Sequence, residues 1–172
     1  MYKSLLSVGV INLVSYVIAI IVGGLFFAFD RFTKYLVVKN MPLGTGKDFI
    51  KGFIGFWHTS NEGGAWGFLE GYTWVLLSVT IIVMLICVAL LLKYGLKDKL
   101  MFWAITLVLS GGLGNMYDRI FNDGKVVDFL RFEFIEFPVF NIADCAIVIG
   151  AGLMILYFVL DIIKDRQKAK LQ

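Results

Sequence analysis

Residues 74–92 read WVLLSVTIIVMLICVALLL, nineteen consecutive positions without a charged side chain. A helix needs about 20 mostly apolar residues to cross a bilayer. In lipid every backbone polar group must be satisfied within the segment, so a run like this is read as a transmembrane helix. Three further runs flank it. Leu5 to Phe29 is broken only by Ser7, Asn12 and Ser15. Leu100 to Tyr117 is rich in glycine towards its end. Ala146 to Leu160 is best started a turn earlier, at Asn141. The fold expected is an all-α polytopic membrane protein, a bundle of four transmembrane helices at about 5–29, 74–92, 100–117 and 141–160, forming a single integral membrane domain over 1–172. Met1-Tyr2-Lys3 could open a signal peptide, but the apolar run that follows is too long and lacks a small-residue cleavage site, so a retained helix is expected.

Composition agrees. Of the 172 residues 59% are hydrophobic and 17% charged, against about 45–50% and about 25% in soluble domains. The net charge of +3 is not gathered into a patch, which argues against nucleic acid as a partner. Cys87 and Cys145 sit in apolar runs without CxxC spacing and read as small packing residues. A single histidine, His58, excludes HExxH, leaves a zinc site without ordinary ligands, and lies near nothing resembling a nucleophile elbow. No metal and no cofactor are expected.

Two segments outside the spans matter. The segment 30–73 mixes Phe49, Phe53, Ile54, Phe56, Trp57, Trp66 and Phe68 with Gly52, Gly55, Gly63, Gly64 and Gly67. That is too aromatic for a disordered linker and suits a small β-rich element on the membrane surface. The second segment is 118–140. Lys and Arg divide evenly between the two sides, eight and eight. The denser clusters, KYGLKDK at 93–99 and KDRQKAK at 164–170, lie close to helix ends, which puts both termini in the cytoplasm and segments 30–73 and 118–140 outside. Small residues at helix-packing spacing (Ser15, Ala19 and Gly23; Ser110 and Gly114; Ala146 and Gly150) indicate closely packed helices.

Polar and ionisable residues at membrane depth are costly and mark function by default. Here they gather at one end of the bundle. Asp30 and Lys34, four apart, could form a plain surface pair. Asn115, Asp118 and Arg119 share a helix face and could satisfy one another at its end. Asn141 with Asp144 could be a helix N-cap with an acid at the third position. Asp128, between Val127 and Phe129, could sit in an exposed edge turn. Taken together these readings weaken, because antiparallel helices joined by a loop bring the end of the third and the start of the fourth close together. Asp128 and Asp144 would then share a low-dielectric site in which both cannot ionise cheaply. One aspartate would take a proton from water while the other protonates an amide carbonyl, the pair titrating as a unit.

The motifs DxxTK (Asp30 to Lys34), NxGxA (Asn61 to Ala65), NxxDR (Asn115 to Arg119), VVDF (Val126 to Phe129) and FNxAD (Phe140 to Asp144), in this order, resemble the lipoprotein signal peptidases, also called signal peptidase II. The resemblance covers essentially the whole chain. It implies an aspartic endopeptidase of the bacterial cytoplasmic membrane. Its substrate would be a prolipoprotein, cleaved just before a diacylglyceryl-modified cysteine, and globomycin, a cyclic peptide antibiotic, would be an inhibitor. By position the catalytic pair falls on Asp128 and Asp144. Asp30, Lys34, Asn61, Gly63, Asn115, Asp118, Arg119, Asn141 and Ala143 match positions that line or support the site. Segment 30–73 would hold a β-cradle on the membrane surface and a mobile part over the site. A monomer in contact with membrane lipids is expected. Three features depart from the family pattern: the separation of Asp128 and Asp144 is slightly short, Trp66 stands where a smaller aromatic is common, and Glu62 replaces a small polar residue.

The rival readings are a small proton-coupled membrane transporter and a non-catalytic scaffold that docks partners on its outer segment. The transporter would spread its carboxylates at mid-depth, often across inverted repeats. Here they crowd at one end. A serine–lysine peptidase using Ser60 or Ser110 is a further rival.

Overall fold

The computed structural model describes residues 2–95 and 97–170. Met1, and the side chains of Ser7 and Asn12 in the first span, lie outside the described residues. In chain order the elements are α1 (Tyr2–Asn40), β1 (Gly46–Ile50), β2 (Ile54–Asn61), a 3-10 turn (Ala65–Gly67), α2 (Thr73–Leu90), α3 (Lys99–Phe121), β3 (Val126–Phe132) and α4 (Ile142–Lys170). A single π-helical turn, Leu91–Gly95, extends α2.

Among the described residues four helices are long and apolar enough to cross a membrane: Leu13–Asn40, Thr73–Tyr94, Lys99–Phe121 and Ile142–Lys170. Their mean hydropathies are 2.2, 3.2, 1.3 and 2.5. The third is the least apolar because it is the most enclosed. Of its most apolar window 61% is buried inside the protein, against 11% in each of the others. Side chains that face protein rather than lipid are free to be small or polar. Asp98 starts this helix by accepting N–H bonds from Leu100 (2.8 Å) and Met101 (3.1 Å), the usual device for satisfying orphan donors at a helix start.

The four-helix bundle with a small β element is what the sequence leads one to expect. α3 packs against α1, α2 and α4, and its contact with α4 depends on missing side chains. A Cβ on Gly111 would lie 2.3 Å from the Ala143 carbonyl oxygen, and one on Gly150 would lie 2.6 Å from that of Ala104. Backbones can approach this closely only across glycine.

Two features differ from the sequence reading. The first helix does not stop near Phe29 but continues through Asp30–Asn40, residues expected in the outer segment. Asp30 and Lys34 lie one turn apart, paired at 2.9 Å and each 1% exposed, so they face protein rather than water and leave the helix intact. The sheet also has a third strand. Its order is β1-β2-β3, all antiparallel, and β3 comes from segment 118–140. The β2–β3 register sets Thr59 opposite Asp128 and Asn61 opposite Val126.

Candidate functional site

Each polar group singled out in the sequence enters one connected network at the end of the bundle where α1, α3, α4 and the sheet meet. Its centre is Asn141, fully buried, just ahead of α4. Its side-chain amide donates to Asp128 Oδ1 at 2.6 Å and to Asn115 Oδ1 at 3.0 Å. Its own Oδ1 accepts the Asp144 backbone N–H at 2.9 Å, while Asp144 Oδ2 accepts the Asn141 N–H at 3.0 Å. These two reciprocal bonds form the capping box anticipated from spacing. The cap does not exhaust Asp144, because its Oδ1 accepts the Asn115 amide at 2.7 Å.

Asp128 is not in an exposed turn. It is 2% exposed and held on both oxygens, the second accepting the Asn61 amide at 2.8 Å. Burial, and after it the nearby Asp144 charge, push its carboxyl up to about 7, although bonds from Asn61 and Asn141 and the Lys34 charge pull the other way. Desolvation and a like charge both disfavour ionisation. Asp128 therefore exchanges its proton near neutral pH.

A second layer supports the pair. The Lys34 ammonium, buried on α1, contacts Asp118 at 2.8 Å, Asp30 at 2.9 Å and Asn115 Oδ1 at 3.0 Å. Asp30 accepts the Ala143 N–H at 3.0 Å, which ties α1 to the first turn of α4. The Asp30–Lys34 pair is therefore a buried strut and not the surface pair that its spacing allowed. Asn115, Asp118 and Arg119 do not satisfy one another but reach three different elements. Arg119 donates to the Gly63 carbonyl at 2.8 Å, and the Gly63 N–H is held by Asn61 Oδ1 at 2.9 Å.

Sequence reasoning did not single out Arg31, which bonds Asp118 and lies 4.5 Å over the Tyr117 ring. Its place directly after Asp30 was the available signal. It also missed the walls of the cavity. Asp128 and Asp144 open together onto a cavity of about 430 Å³. Asn61, Asn115 and Arg119 line its polar end, and Phe132, Phe140 and Ile147 are among its apolar walls. Trp66, in the 3-10 turn at φ 55°, meets the rim residue Phe137 edge-on at 5.6 Å. Two carboxylates held by amide donors at the mouth of an apolar cavity can activate water against an amide bond. They can do this without a serine, a cysteine or a histidine.

Comparison with known proteins points the same way. The family model described as signal peptidase (SPase) II matches residues 9–160. The chain is 37% identical over 145 residues to the lipoprotein signal peptidase of Enterococcus faecalis, covering 84% of this chain and 89% of that one. It is 42% identical over 134 residues to the lipoprotein signal peptidase of Bacillus pumilus, with 77% and 86% covered. A solved structure of a bacterial membrane enzyme superposes with a TM-score of 0.78 at 33% identity, covering 83% of this chain and 88% of that one.

Proposed function

The chain belongs to the signal peptidase II family, and from that premise we propose that it removes the signal peptide from diacylglyceryl-modified prolipoproteins, cutting just before the lipidated cysteine with Asp128 and Asp144 as its catalytic pair. One observation carries the reading. The two carboxylates line a single cavity and both bond Asn141, Asp128 through its side-chain amide and Asp144 through its backbone N–H. The pair begins the cycle with one proton. Its ionised member takes a proton from water, and the hydroxyl adds to the scissile carbonyl carbon. Its protonated member donates to the carbonyl oxygen. Collapse of the tetrahedral intermediate breaks the C–N bond, and the proton taken from water passes to the leaving amine. The products are a signal peptide ending in a carboxyl group and a mature protein with a free amine on its lipidated cysteine.

Asn61, Asn115 and Asn141 hold the carboxylates in place. Lys34, Asp30 and Asp118 fix α1 against α3 and α4, with Ala143 as the contact point on α4. Arg119 fixes the loop at Gly63. Binding energy from the acyl chains and the signal helix, remote from the scissile bond, positions that bond for attack. The site faces the outer side of the bacterial cytoplasmic membrane, both termini lie inside, the protein acts as a monomer, and globomycin competes for the cavity.

The test uses purified protein in detergent with a lipidated prolipoprotein, following product size with and without globomycin. Asp128→Asn and Asp144→Asn are each expected to abolish cleavage while leaving thermal unfolding close to that of the parent, and Ser110→Ala to have a mild effect. Near-normal turnover by either aspartate variant would remove the pair from the mechanism.

A further inference from the structure

Beside the cavity at the aspartate pair lies a second depression of about 560 Å³, on the side of the sheet. The two share the walls Phe132, Phe137 and Pro138, so they are neighbours. They differ in character. The far side of the first is α4, with Ile147, Val148 and Ile149 leading towards the middle of the span. The second is bounded by Trp66, Arg131 and Glu136, and these belong to the extramembrane elements. A substrate cut at the aspartates leaves in two directions. Its apolar signal helix must lie along the spans, and its polar mature part must leave towards water. The second depression adjoins the cavity and is bounded by residues outside the four spans.

Resting on the proposed peptidase activity, we infer that this depression receives the first residues after the lipidated cysteine in extended form, and that Arg131 reads their charge, favouring an acidic side chain. Arg131 is equipped for that role. Its guanidinium stacks 4.8 Å over the Trp57 ring, which fixes its plane, and no ion pair engages it among the described residues. A guanidinium held flat with its N–H groups free matches a carboxylate. Glu136, at the rim of the same depression, disfavours an acidic residue close to it, so the preference belongs to the position that reaches Arg131. Phe137, edge-on to Trp66, stands between the two depressions and lines both.

The test compares lipidated substrates that differ only at the second to fourth residues after the cysteine, carrying an acidic, a neutral or a basic side chain. The parent enzyme is expected to process the acidic form faster than the basic one at one of these positions. Arg131→Glu should reverse that order, changing the acidic-to-basic ratio of kcat/KM by about fivefold, the scale of a solvent-facing ion pair. Cleavage of the neutral substrate should stay near the parent rate, which also reports that the variant is folded. Should Arg131→Glu fail on the neutral substrate, Arg131→Gln is read instead and should level the acidic and basic rates. A ratio unchanged by either variant, with the parent active, overturns the inference and leaves the peptidase reading intact. That result is also the one expected if the depression holds acyl chains, which carry no charge to read. Failure of the parent to cleave any of the three overturns both.

Discussion

Asp128 sits under opposing influences. Burial and the Asp144 charge raise its carboxyl to about 7, while the bonds from Asn61 and Asn141 and the Lys34 ammonium lower it. The sign of the resulting pH dependence follows. In the proposed mechanism Asp128 below about 7 keeps the proton that the reaction would use, and above it that proton is lost and no acid would remain to protonate the carbonyl oxygen. kcat/KM is therefore expected to fall on the alkaline side, starting near pH 7, by about tenfold per unit for loss of one essential proton. Asn61 supplies one of the lowering bonds, at 2.8 Å. In Asn61→Ala the ionised form loses that donor, so the alkaline limb should move to higher pH while the maximum rate drops. A pH profile on a lipidated substrate decides it, and a limb that moves down or stays in place would contradict this account of Asp128.

At the scale of elements, the site depends on how closely α3 meets α4. Gly111 faces the Ala143 carbonyl, with Ile147 Cγ1 only 2.8 Å from where a Cβ would stand. Ala143 is the residue whose N–H is fixed by Asp30, and Asp144 follows it. Gly111→Ala must therefore push apart the two helices that carry Asn115 and Asp144. It is expected to cost about 1–3 kcal/mol, as overpacking does, and to lower turnover more than a purely peripheral change of the same stability would. Gly152→Ala, with open space around the added methyl, should change neither. Thermal unfolding in detergent and turnover, measured on both variants, test the contrast, and equal behaviour of the two would refute it. The same scale shows what was readable in advance. Asp128, Asp144 and the residues around them were legible because single charges in apolar runs are conspicuous and each lies next to a span end. The course of α1 past Phe29 was not legible. A pair such as Asp30 and Lys34 at helical spacing reads alike whether it faces water or protein, and only the approach of Asp118, on another helix, decides. The third strand was equally hidden. Pairing of Thr59 with Asp128 joins distant parts of the chain, and no local pattern in segment 118–140 announces its partner. Arg31 and the phenylalanine walls escaped for a related reason, since their roles arise from neighbours that are remote in sequence.

For the molecule as a whole, the two ends of the bundle carry different chemistry. At one end Asp30, Lys34, Asp118 and Asp128 are buried and bonded around the cavity, while Lys39, in the last turn of α1, is exposed. At the other, Lys93 and Lys97 lie in the turn between α2 and α3, Lys99 begins α3, and Lys164, Arg166, Lys168 and Lys170 close α4. Cations near span ends are retained on the cytoplasmic side. The opposing Lys47 and Lys51 belong to the β1–β2 hairpin, away from any span end, and bear less on orientation. Lys39 and Arg119 close spans at the first end, but the denser cation clusters lie at the second, so the aspartate pair is expected to face outward, where a translocated prolipoprotein presents its lipidated cysteine. In a background carrying Cys87→Ala and Cys145→Ala, single cysteines at Lys47→Cys and Lys168→Cys, both exposed sites, report this directly. A membrane-impermeant thiol reagent applied to intact cells is expected to label the cysteine at 47 and to reach the one at 168 only after permeabilisation. The reverse pattern would place the cavity on the cytoplasmic side, where a substrate whose mature part has already crossed the membrane could not reach it.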